Sequence, residues 1–199
     1  MSRAFVDEDA GSDETDGMHE IPLPLPTGAR NYMTPEGAMR MADELRRLVE
    51  EERPRAAGAL AAAESSNKAE SLRTLSKIDR KISYLTRMKS MLEVVQAPSS
   101  LERAVFGLVV RVSEEPAAGD AISREGGGVF ETGDILPLEM EYRIVGVDEI
   151  DLARGYVSWA SPIAKALIGK RVGEMVLARL PLGERRMRIL EIRYEESER

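Results

Sequence analysis

The chain offers few of the side chains that carry out enzyme chemistry. None of its 199 residues is cysteine, which excludes disulfides, thiolate catalysis and cysteine-ligated metals. Its single histidine, His19, leaves no Ser-His pair and no two-histidine metal site to assemble. Any chemistry therefore depends on carboxylates, hydroxyls and amines, and one group of these is the segment Glu64-Ser-Ser-Asn-Lys-Ala-Glu70.

That segment lies between two helical patterns and has a structural interpretation. Asn67 precedes Glu70 by three residues, which is the spacing of a capping box at the start of a helix. Glu64 would be a solvent-facing residue in the last turn of the preceding helix. The residues between the two carboxylates predict a short turn at the tip of a hairpin: Ser65, Ser66, Asn67 and Lys68.

The first arm of this hairpin has a clear start. Thr34-Pro35-Glu36 supplies a hydroxyl at the N-cap, proline at the first helical position and a carboxylate in the first turn. Pro54 should interrupt the helix, which then resumes through an alanine-rich stretch to about Glu64, although Gly58 weakens it. Apolar residues recur at coiled-coil spacing along the arm: Ala38, Met41, Leu45 and Leu48.

The second arm is predicted from Asn67 to Val95, with Pro98 stopping it. The connection between the arms is short, so the arms must be antiparallel, each with roughly 30 residues and a length of about 45 Å. An apolar stripe marks the face toward the first arm: Leu72, Leu75, Ile78, Ile82, Leu85, Met88 and Leu92.

Charge is distributed unevenly along the chain, whose formal net charge is −7. Residues 1–30 hold seven acids against two bases, and residues 31–97 hold ten acids against twelve bases. This distribution does not favour wrapping duplex DNA, which needs a clustered basic face, and is better suited to a protein partner with a positive groove. No apolar run is long enough for a membrane span and no secretory signal is seen, so we expect a cytoplasmic protein.

The leader, residues 1–30, has two open interpretations. Its acids, glycines and serines are typical of a disordered, solvated arm without a role of its own. Alternatively, Ile21-Pro-Leu-Pro-Leu-Pro26 favours extended polyproline geometry and could pack on the folded body or on a partner.

From residue 98 the hydrophobic period changes to that of strands. Strands are predicted at 104–112, 138–145, 156–159, 174–180 and 186–194. One short helix, 161–168, has Ser161 as cap, Pro162 at its first position and Gly169 after its end. A Gly- and acid-rich loop is predicted between Ser113 and Gly133. We therefore expect an α+β chain with a leader at 1–30, a hairpin at 31–97 and a β-rich domain at 98–199.

Several segments, in this order, resemble those of bacterial Gre factors, most closely the GreB group. They cover about residues 30–196, and they are Thr34-Pro-Glu-Gly37, Glu51-Glu-Arg-Pro54, Ile78-Asp-Arg-Lys-Ile-Ser-Tyr-Leu-Thr-Arg87, Tyr142-Arg-Ile-Val-Gly146, Asp148-Glu149 and Ser161-Pro-Ile-Ala-Lys-Ala-Leu-Ile-Gly169. The resemblance implies an N-terminal coiled-coil hairpin and a C-terminal FKBP-like domain. It also implies binding at the secondary channel of RNA polymerase, where two acidic tip residues help to hold Mg²⁺ and water for hydrolysis of backtracked RNA.

The tip departs from the family pattern, which reads roughly Gly-Asp-x-x-Glu-Asn. If Lys68 is aligned with the lysine often found in that motif, the acidic positions fall on Ser66 and Ala69, neither of which coordinates Mg²⁺. By the same resemblance, the chain between Pro54 and Ile78 is about seven residues shorter than in cleavage-competent relatives, which retracts the tip by roughly 5 Å. The resemblance then implies no catalytic pair and no cofactor of its own, with Mg²⁺ only through the polymerase; Glu64 and Glu70 remain candidates for a relocated pair.

Two further surfaces are implied by the resemblance. Ser161 and Pro162 match the segment through which relatives engage the polymerase rim, although Ala160 replaces an aspartate there, and Trp159 beside them is either an interface anchor or a core residue. Basic residues of the second arm would face RNA or polymerase, or else form an ordinary solvated face: Lys77, Arg80, Lys81, Arg87 and Lys89.

We therefore expect a non-enzymatic, monomeric regulator that binds bacterial RNA polymerase, with the nascent RNA 3′ end as a further contact. One alternative is an elongation factor that stimulates transcript cleavage by the polymerase through Glu64 and Glu70. A weaker alternative is a regulator of nucleoside diphosphate kinase, because short-hairpin relatives carry that label.

Overall fold

The structure, a computed structural model, describes residues 23–115, 138–181 and 183–195. It is a mixed helix and sheet protein. Four α-helices are present in these ranges, α1 (Pro35–Arg47), α2 (Arg53–Ala62), α3 (Lys68–Ser90) and α4 (Pro162–Leu167). The strands are β1 (Asn31–Met33), β2 (Leu92–Val94), β3 (Val109–Glu115), β4 (Leu138–Val145), β5 (Tyr156–Ser158), β6 (Met175–Leu180) and β7 (Gly183–Arg193). None of the helices described is long and apolar enough to cross a membrane.

The helical part starts as the sequence predicts. Thr34 lies in extended conformation at the N-cap of α1, and its hydroxyl accepts a hydrogen bond from the Gly37 N–H at 3.0 Å. Of the residues of the predicted seam, Met41 and Leu48 are buried at the base of the hairpin, with Leu45 packed against them. We call this group the base cluster; its buried members are Met33, Met41, Leu48, Leu85, Met88 and Val147.

The expected interruption at Pro54 takes a milder form and lies one turn earlier. Between α1 and α2 the chain widens into a π-helical turn, Leu48–Glu52, in which the Arg53 N–H donates to the Leu48 carbonyl. Proline has no N–H to offer and its ring crowds the preceding turn, so a locally wider helix relieves the conflict without breaking the rod. The first arm is therefore one helical run of 28 residues, about 42 Å long at about 1.5 Å per residue.

The two arms run in opposite directions. Glu44 forms an ion pair with Lys81, and farther toward the tip Arg53 pairs with Asp79 at 2.7 Å. At the tip itself, Ala59 and Ser71 line the same groove. Partners on α3 thus lie nearer its N-terminus as the first arm moves away from the base, so the two arms run antiparallel.

The prediction that the second arm continues to Val95 is wrong. Helix α3 ends at Ser90, and residues 92–94 form β2, which pairs in parallel with β1. The Asn31 N–H donates to the Met91 carbonyl at 2.9 Å, and the Val95 N–H donates to the Met33 carbonyl at 2.9 Å. Beyond Ser90, these backbone hydrogen bonds to β1 take the place of helical ones. The Asn31 side-chain amide also donates a hydrogen bond to the Met88 carbonyl at 3.2 Å.

The remainder is a five-stranded sheet in the order β5-β4-β3-β7-β6, antiparallel except for the β4–β5 pair. Helix α4 packs on it over a second apolar core that includes Val110, Ile144, Leu167 and Ile189. The predicted strands are confirmed with shifted ends. Strand β3 begins only at Val109, because Gly107 adopts a positive φ of 88°.

Two predictions fall partly outside the described residues. The loop placed between Ser113 and Gly133 begins too early, because β3 continues through Glu115; its remaining positions, 116–133, are not described. Of the leader, residues 23–30 are described, and Leu23 and Leu25 pack against the base cluster. This confirms the interpretation that the Pro-Leu repeat packs on the folded body.

Candidate functional site

The tip of the hairpin is a tight turn built from backbone hydrogen bonds. The N–H groups of Asn67 and Lys68 both donate to the Glu64 carbonyl at 3.0 Å. Asn67 has helical backbone angles, and its side chain makes no capping bond. The predicted capping box is therefore wrong, because the Asn67 N–H that Glu70 would have accepted is already bound to Glu64.

Both tip carboxylates are exposed to solvent. Among the described residues, the side chains of Glu64 and Glu70 have no hydrogen-bond or ion-pair partner. Ser65, Ser66, Asn67 and Lys68 are exposed as well. No group of three or more acidic or histidine side chains that could hold a metal ion occurs within the described ranges. The tip thus presents two unpaired carboxylates without assembling a metal site by itself.

Beside the turn, small side chains leave an open groove of about 320 Å³ between α2 and α3. Its lining consists of Ala56, Ala59, Asn67, Glu70, Ser71 and Thr74. Glu70 is thus on the groove between the arms, whereas Glu64 belongs to the turn at the end. The Thr74 hydroxyl donates to the Glu70 carbonyl at 3.1 Å, a bond internal to the helix.

The basic residues of α3 divide into two groups. Lys77 and Arg80 are exposed, and the Arg80 Nε donates only to the backbone carbonyl of Ser76 at 3.3 Å. Lys81 pairs with Glu44 on the first arm. Arg87 is partly buried and Lys89 is exposed. Lys77 and Arg80 are therefore available to a partner, while Lys81 helps to hold the arms together.

The segment before α4 behaves largely as a structural cap. The Ser161 hydroxyl accepts from the Ala164 N–H at 3.1 Å, as the sequence predicts, and Pro162 is exposed at the first helical position. Trp159 is partly buried against the sheet core, with its ring edge-to-face on Tyr32 at 5.5 Å. Its Nε1 is buried without a hydrogen-bond partner among the described groups. The core interpretation of Trp159 is the one that agrees with this packing.

Sequence reasoning missed Glu149, which follows β4 and is the most enclosed charged side chain in the described part of the chain. Its side chain is 2% exposed. The carboxylate accepts from the Thr34 N–H at 2.9 Å and the Gly146 N–H at 3.0 Å, and the Thr34 hydroxyl donates to its other oxygen. Arg40 of α1 lies 3.6 Å away on the solvent side. A carboxylate satisfied by three donors and a cation can be buried without a large penalty.

Two glycines make room for this carboxylate. A Cβ on Gly37 would overlap the Glu149 carboxyl group, and a Cβ on Gly146 would lie 2.5 Å from the Tyr32 carbonyl and 2.8 Å from Glu149 Oε2. The start of α1 and the turn after β4 therefore approach more closely than side chains would allow. We call this contact of Thr34, Gly37, Gly146 and Glu149 the junction.

Other contacts flank the junction. The Tyr84 hydroxyl of α3 donates to Asp148 at 2.5 Å. Burial raises the pKa of Asp148 above its ordinary value, an effect that the hydrogen bond from Tyr84 opposes and the charges of Glu149 and Glu44 reinforce. Burial, followed by the bond to Asp148, also raises the pKa of Tyr84. Arg143 of β4 lies 3.9 Å from Glu36 of α1.

The sequence contained a signal for the junction, although not its geometry. Thr34-Pro-Glu-Gly37, Gly146 and Asp148-Glu149 all belong to the segments on which the family resemblance rests. Their separation by 115 residues hides the contact, because no periodic pattern connects a helix start to a turn so far along the chain. The burial of Glu149 could not be predicted from the sequence either, since a glutamate in a turn is usually exposed.

Comparison with known proteins adds independent findings. Residues 137–194 match the family described as transcription elongation factor, GreA/GreB, C-terminal. The chain is 31% identical over 179 residues to transcription elongation factor GreB of Neisseria meningitidis serogroup B, covering 85% of this chain and 98% of the relative. It is 32% identical over 179 residues to GreB of Pseudomonas aeruginosa, covering 86% and 95%. The solved structure of GreA factor homolog 1 of Thermus thermophilus is 22% identical, covers 82% of this chain and 99% of its own, and has a TM-score of 0.34.

Proposed function

Because the chain belongs to the GreA/GreB family of transcription elongation factors, we propose that it binds bacterial RNA polymerase at the secondary channel and modulates transcription without efficient cleavage of backtracked RNA. In this proposal residues 31–97 are a coiled-coil hairpin that enters the channel, and residues 98–199 are an FKBP-like domain that docks on the rim. Docking uses the segment at Trp159, Ser161 and Pro162, in which exposed Pro162 offers the free surface. The protein acts as a monomer.

The observation that carries this proposal is the composition of the tip. The end of the hairpin is solvent-exposed and free to enter a partner. With Lys68 aligned to the lysine often found in the family motif, Ser66 and Ala69 take the positions of its two acids. Hydrolysis by a polymerase-bound metal would need carboxylates from the factor to hold a second ion and its water. A tip without that pair occupies or blocks the channel, and Lys77 and Arg80 would face RNA or polymerase beside it.

Two assays on the full chain test the proposal. We expect the protein to compete with a GreB protein for bacterial RNA polymerase, measured by displacement of a fluorescently labelled GreB. On backtracked elongation complexes, we expect RNA cleavage no faster than that of polymerase alone. Failure to compete would refute the assignment to the channel, whereas rapid cleavage would refute the non-cleaving role.

A second candidate is transcript cleavage with Glu64 and Glu70 as a relocated pair. The observation in its favour is that the capping role expected of Glu70 is absent, so that both carboxylates are unpaired within the described part of the chain. This candidate predicts that a Glu64→Ala/Glu70→Ala variant loses cleavage while keeping its affinity for polymerase. Glu50→Ala/Glu51→Ala is the matched control, because it removes the same charge from an exposed place in the middle of the first arm.

A further inference from the structure

Among the described residues, three groups of contacts connect the arms of the hairpin to one turn of the sheet part. The junction joins α1 to the turn after β4, Tyr84 joins α3 to the same turn, and Val147 from that turn enters the base cluster. All three contacts use residues 146–149, so one short turn receives both arms of the hairpin. The Arg143–Glu36 and Tyr32–Trp159 contacts also join the two parts, but the turn at residues 146–149 carries the buried hydrogen bonds to the start of the first arm and so has the main influence on the direction of the hairpin.

Within the turn, Glu149 has the geometry of an orienting group. One oxygen, Oε2, accepts from Thr34 N–H on one side and Gly146 N–H on the other, so it bridges the two parts directly. The other oxygen receives the Thr34 hydroxyl, which itself caps α1 through the Gly37 N–H. The carboxylate thus holds the first residue of the helix cap at a fixed distance and angle from the sheet, in a space that Gly37 and Gly146 keep open.

Small rotations at this place have large effects at the tip. The first arm is 28 residues long, about 42 Å, so a tilt of about 10° at the base moves the tip by about 7 Å. Positioning in an active-site channel is sensitive to displacements near 1 Å. A hydrogen-bonded, buried group at the base therefore has more influence on the position of the tip than most residues of the arm.

We propose that Glu149 is a positioning residue: it fixes the direction in which the hairpin leaves the sheet domain, and thereby where the tip reaches when the domain is docked. This inference rests on the proposed function for its consequence at the polymerase, but not for its structural part. Glu149 contacts no partner itself, because its side chain is enclosed by α1 and the turn.

The absence of native cysteine allows a direct measurement on the full chain. Spin labels at Ser66→Cys on the tip and Arg186→Cys on β7, both exposed positions, report the distance between tip and sheet by pulsed electron resonance. We expect a single narrow distance distribution that broadens or shifts by several ångströms in Glu149→Ala. Glu149→Gln should keep the narrow distribution, since its amide oxygen can still accept from Thr34 and Gly146 while its NH₂ faces the Thr34 hydroxyl.

Two controls separate positioning from stability. Ile189→Val lowers the stability of the sheet core without touching the junction, and Asp79→Asn removes an ion pair between the arms. Neither should change the distance distribution, even where the melting temperature falls as far as in Glu149→Ala. An unchanged distribution in Glu149→Ala, or equal broadening in Ile189→Val, would overturn the proposal.

The polymerase readout gives a second, separable result. Glu149→Ala should bind polymerase within about threefold of the unmodified chain, because docking uses the sheet domain. Its effect on transcription through the channel should fall at least about fivefold, and Glu149→Gln should restore it. Parallel losses of binding and effect would contradict a positioning role. If the unmodified chain does not bind polymerase, the proposed function fails while the distance measurement still decides the role of Glu149.

Discussion

Asp148 and Glu149 are adjacent carboxylates with different surroundings. Glu149 is enclosed by donors, whereas Asp148 is exposed on one side and has one donor, the Tyr84 hydroxyl, with Glu149 and Glu44 as negative neighbours. Burial is the main cause of its raised pKa. The folded state therefore binds the Asp148 proton more tightly than the unfolded state does. The resulting stabilisation is complete below the ordinary pKa and is lost as the pH rises through the folded-state pKa.

The direction of this pKa shift gives a prediction for the stability of Asp148→Asn. At neutral pH the substitution removes a charge that folding disfavours and keeps an oxygen that can accept from Tyr84, so the variant should be as stable as the original chain or more stable. Screening at this exposed position limits the gain in the free energy of unfolding to about a few tenths of a kcal/mol. Thermal melts across the acidic range should show the gain shrinking as Asp148 becomes protonated.

Tyr84→Phe is the complementary change at the same contact. It removes the hydrogen bond that lowers the pKa of Asp148, so burial acts unopposed and that pKa should rise further. Carbon-detected NMR titration of the carboxyl group measures the shift. A pKa of Asp148 that falls in Tyr84→Phe would contradict the assigned contact.

At the scale of elements, two helical glycines form a matched pair. Gly37 in α1 faces the Glu149 carboxyl group, whereas a Cβ on Gly58 in α2 would meet nothing within 4 Å. Gly58→Ala should stabilise the chain by about 0.5 to 1 kcal/mol through helix propensity. Gly37→Ala gains the same propensity but must displace a buried carboxylate, so a net destabilisation of about 1 to 2 kcal/mol is expected.

Denaturant unfolding of both alanine variants measures this difference. Because each variant adds one methyl group to a helix, the contribution of helix propensity cancels when the two changes in the free energy of unfolding are compared. The remaining difference is the cost of placing the methyl group at the junction. Equal stabilisation by Gly37→Ala and Gly58→Ala would show that the space beside Gly37 is not needed. The same titration should give unchanged slopes, since neither variant alters the surface exposed on unfolding by much.

Local chemistry explains which elements could be predicted. The starts of α1 and α4 follow from Thr34-Pro35 and Ser161-Pro162, because each cap bonds an N–H only three residues away. The end of α3 could not be predicted, since it depends on pairing of residues 92–94 with β1, some 60 residues earlier. Leu92 and Val94 suit a helix stripe and a strand equally well. The prediction of a capping box at Asn67 was wrong for a similar reason, since the Asn67 N–H donates to the Glu64 carbonyl in the turn.

At the scale of the whole molecule, the sequence was informative about the parts and silent about how they meet. The hairpin, the sheet and the exposed tip followed from period, spacing and resemblance. The junction did not, because Thr34 and Glu149 are 115 residues apart and only the folded chain brings them together. The turn at residues 146–149, which the sequence marked only as part of the family resemblance, is thus where both arms of the hairpin contact the sheet part.

The last prediction concerns the tip, the hairpin and the sheet domain acting together in transcript cleavage. If the sheet domain docks and the hairpin is correctly directed, the missing carboxylates are the main defect in cleavage, and Ser66→Asp/Ala69→Glu should raise transcript cleavage by at least about tenfold over the unmodified chain. Both positions are exposed, so the fold should tolerate the change. The measurement is RNA cleavage on backtracked complexes at saturating protein, with affinity for polymerase measured in parallel.

Ser66→Asn/Ala69→Gln is the control, because it adds side chains of the same size without charge. Its cleavage should stay at the level of polymerase alone, since amides cannot replace the carboxylates as charged metal ligands. Should the charged variant bind normally and still fail to cleave, the missing carboxylates would not be the main defect, and the shorter hairpin that the resemblance implies would have to be tested. Lengthening both arms by one turn, about 5 Å, would then be required together with the acids for cleavage to appear.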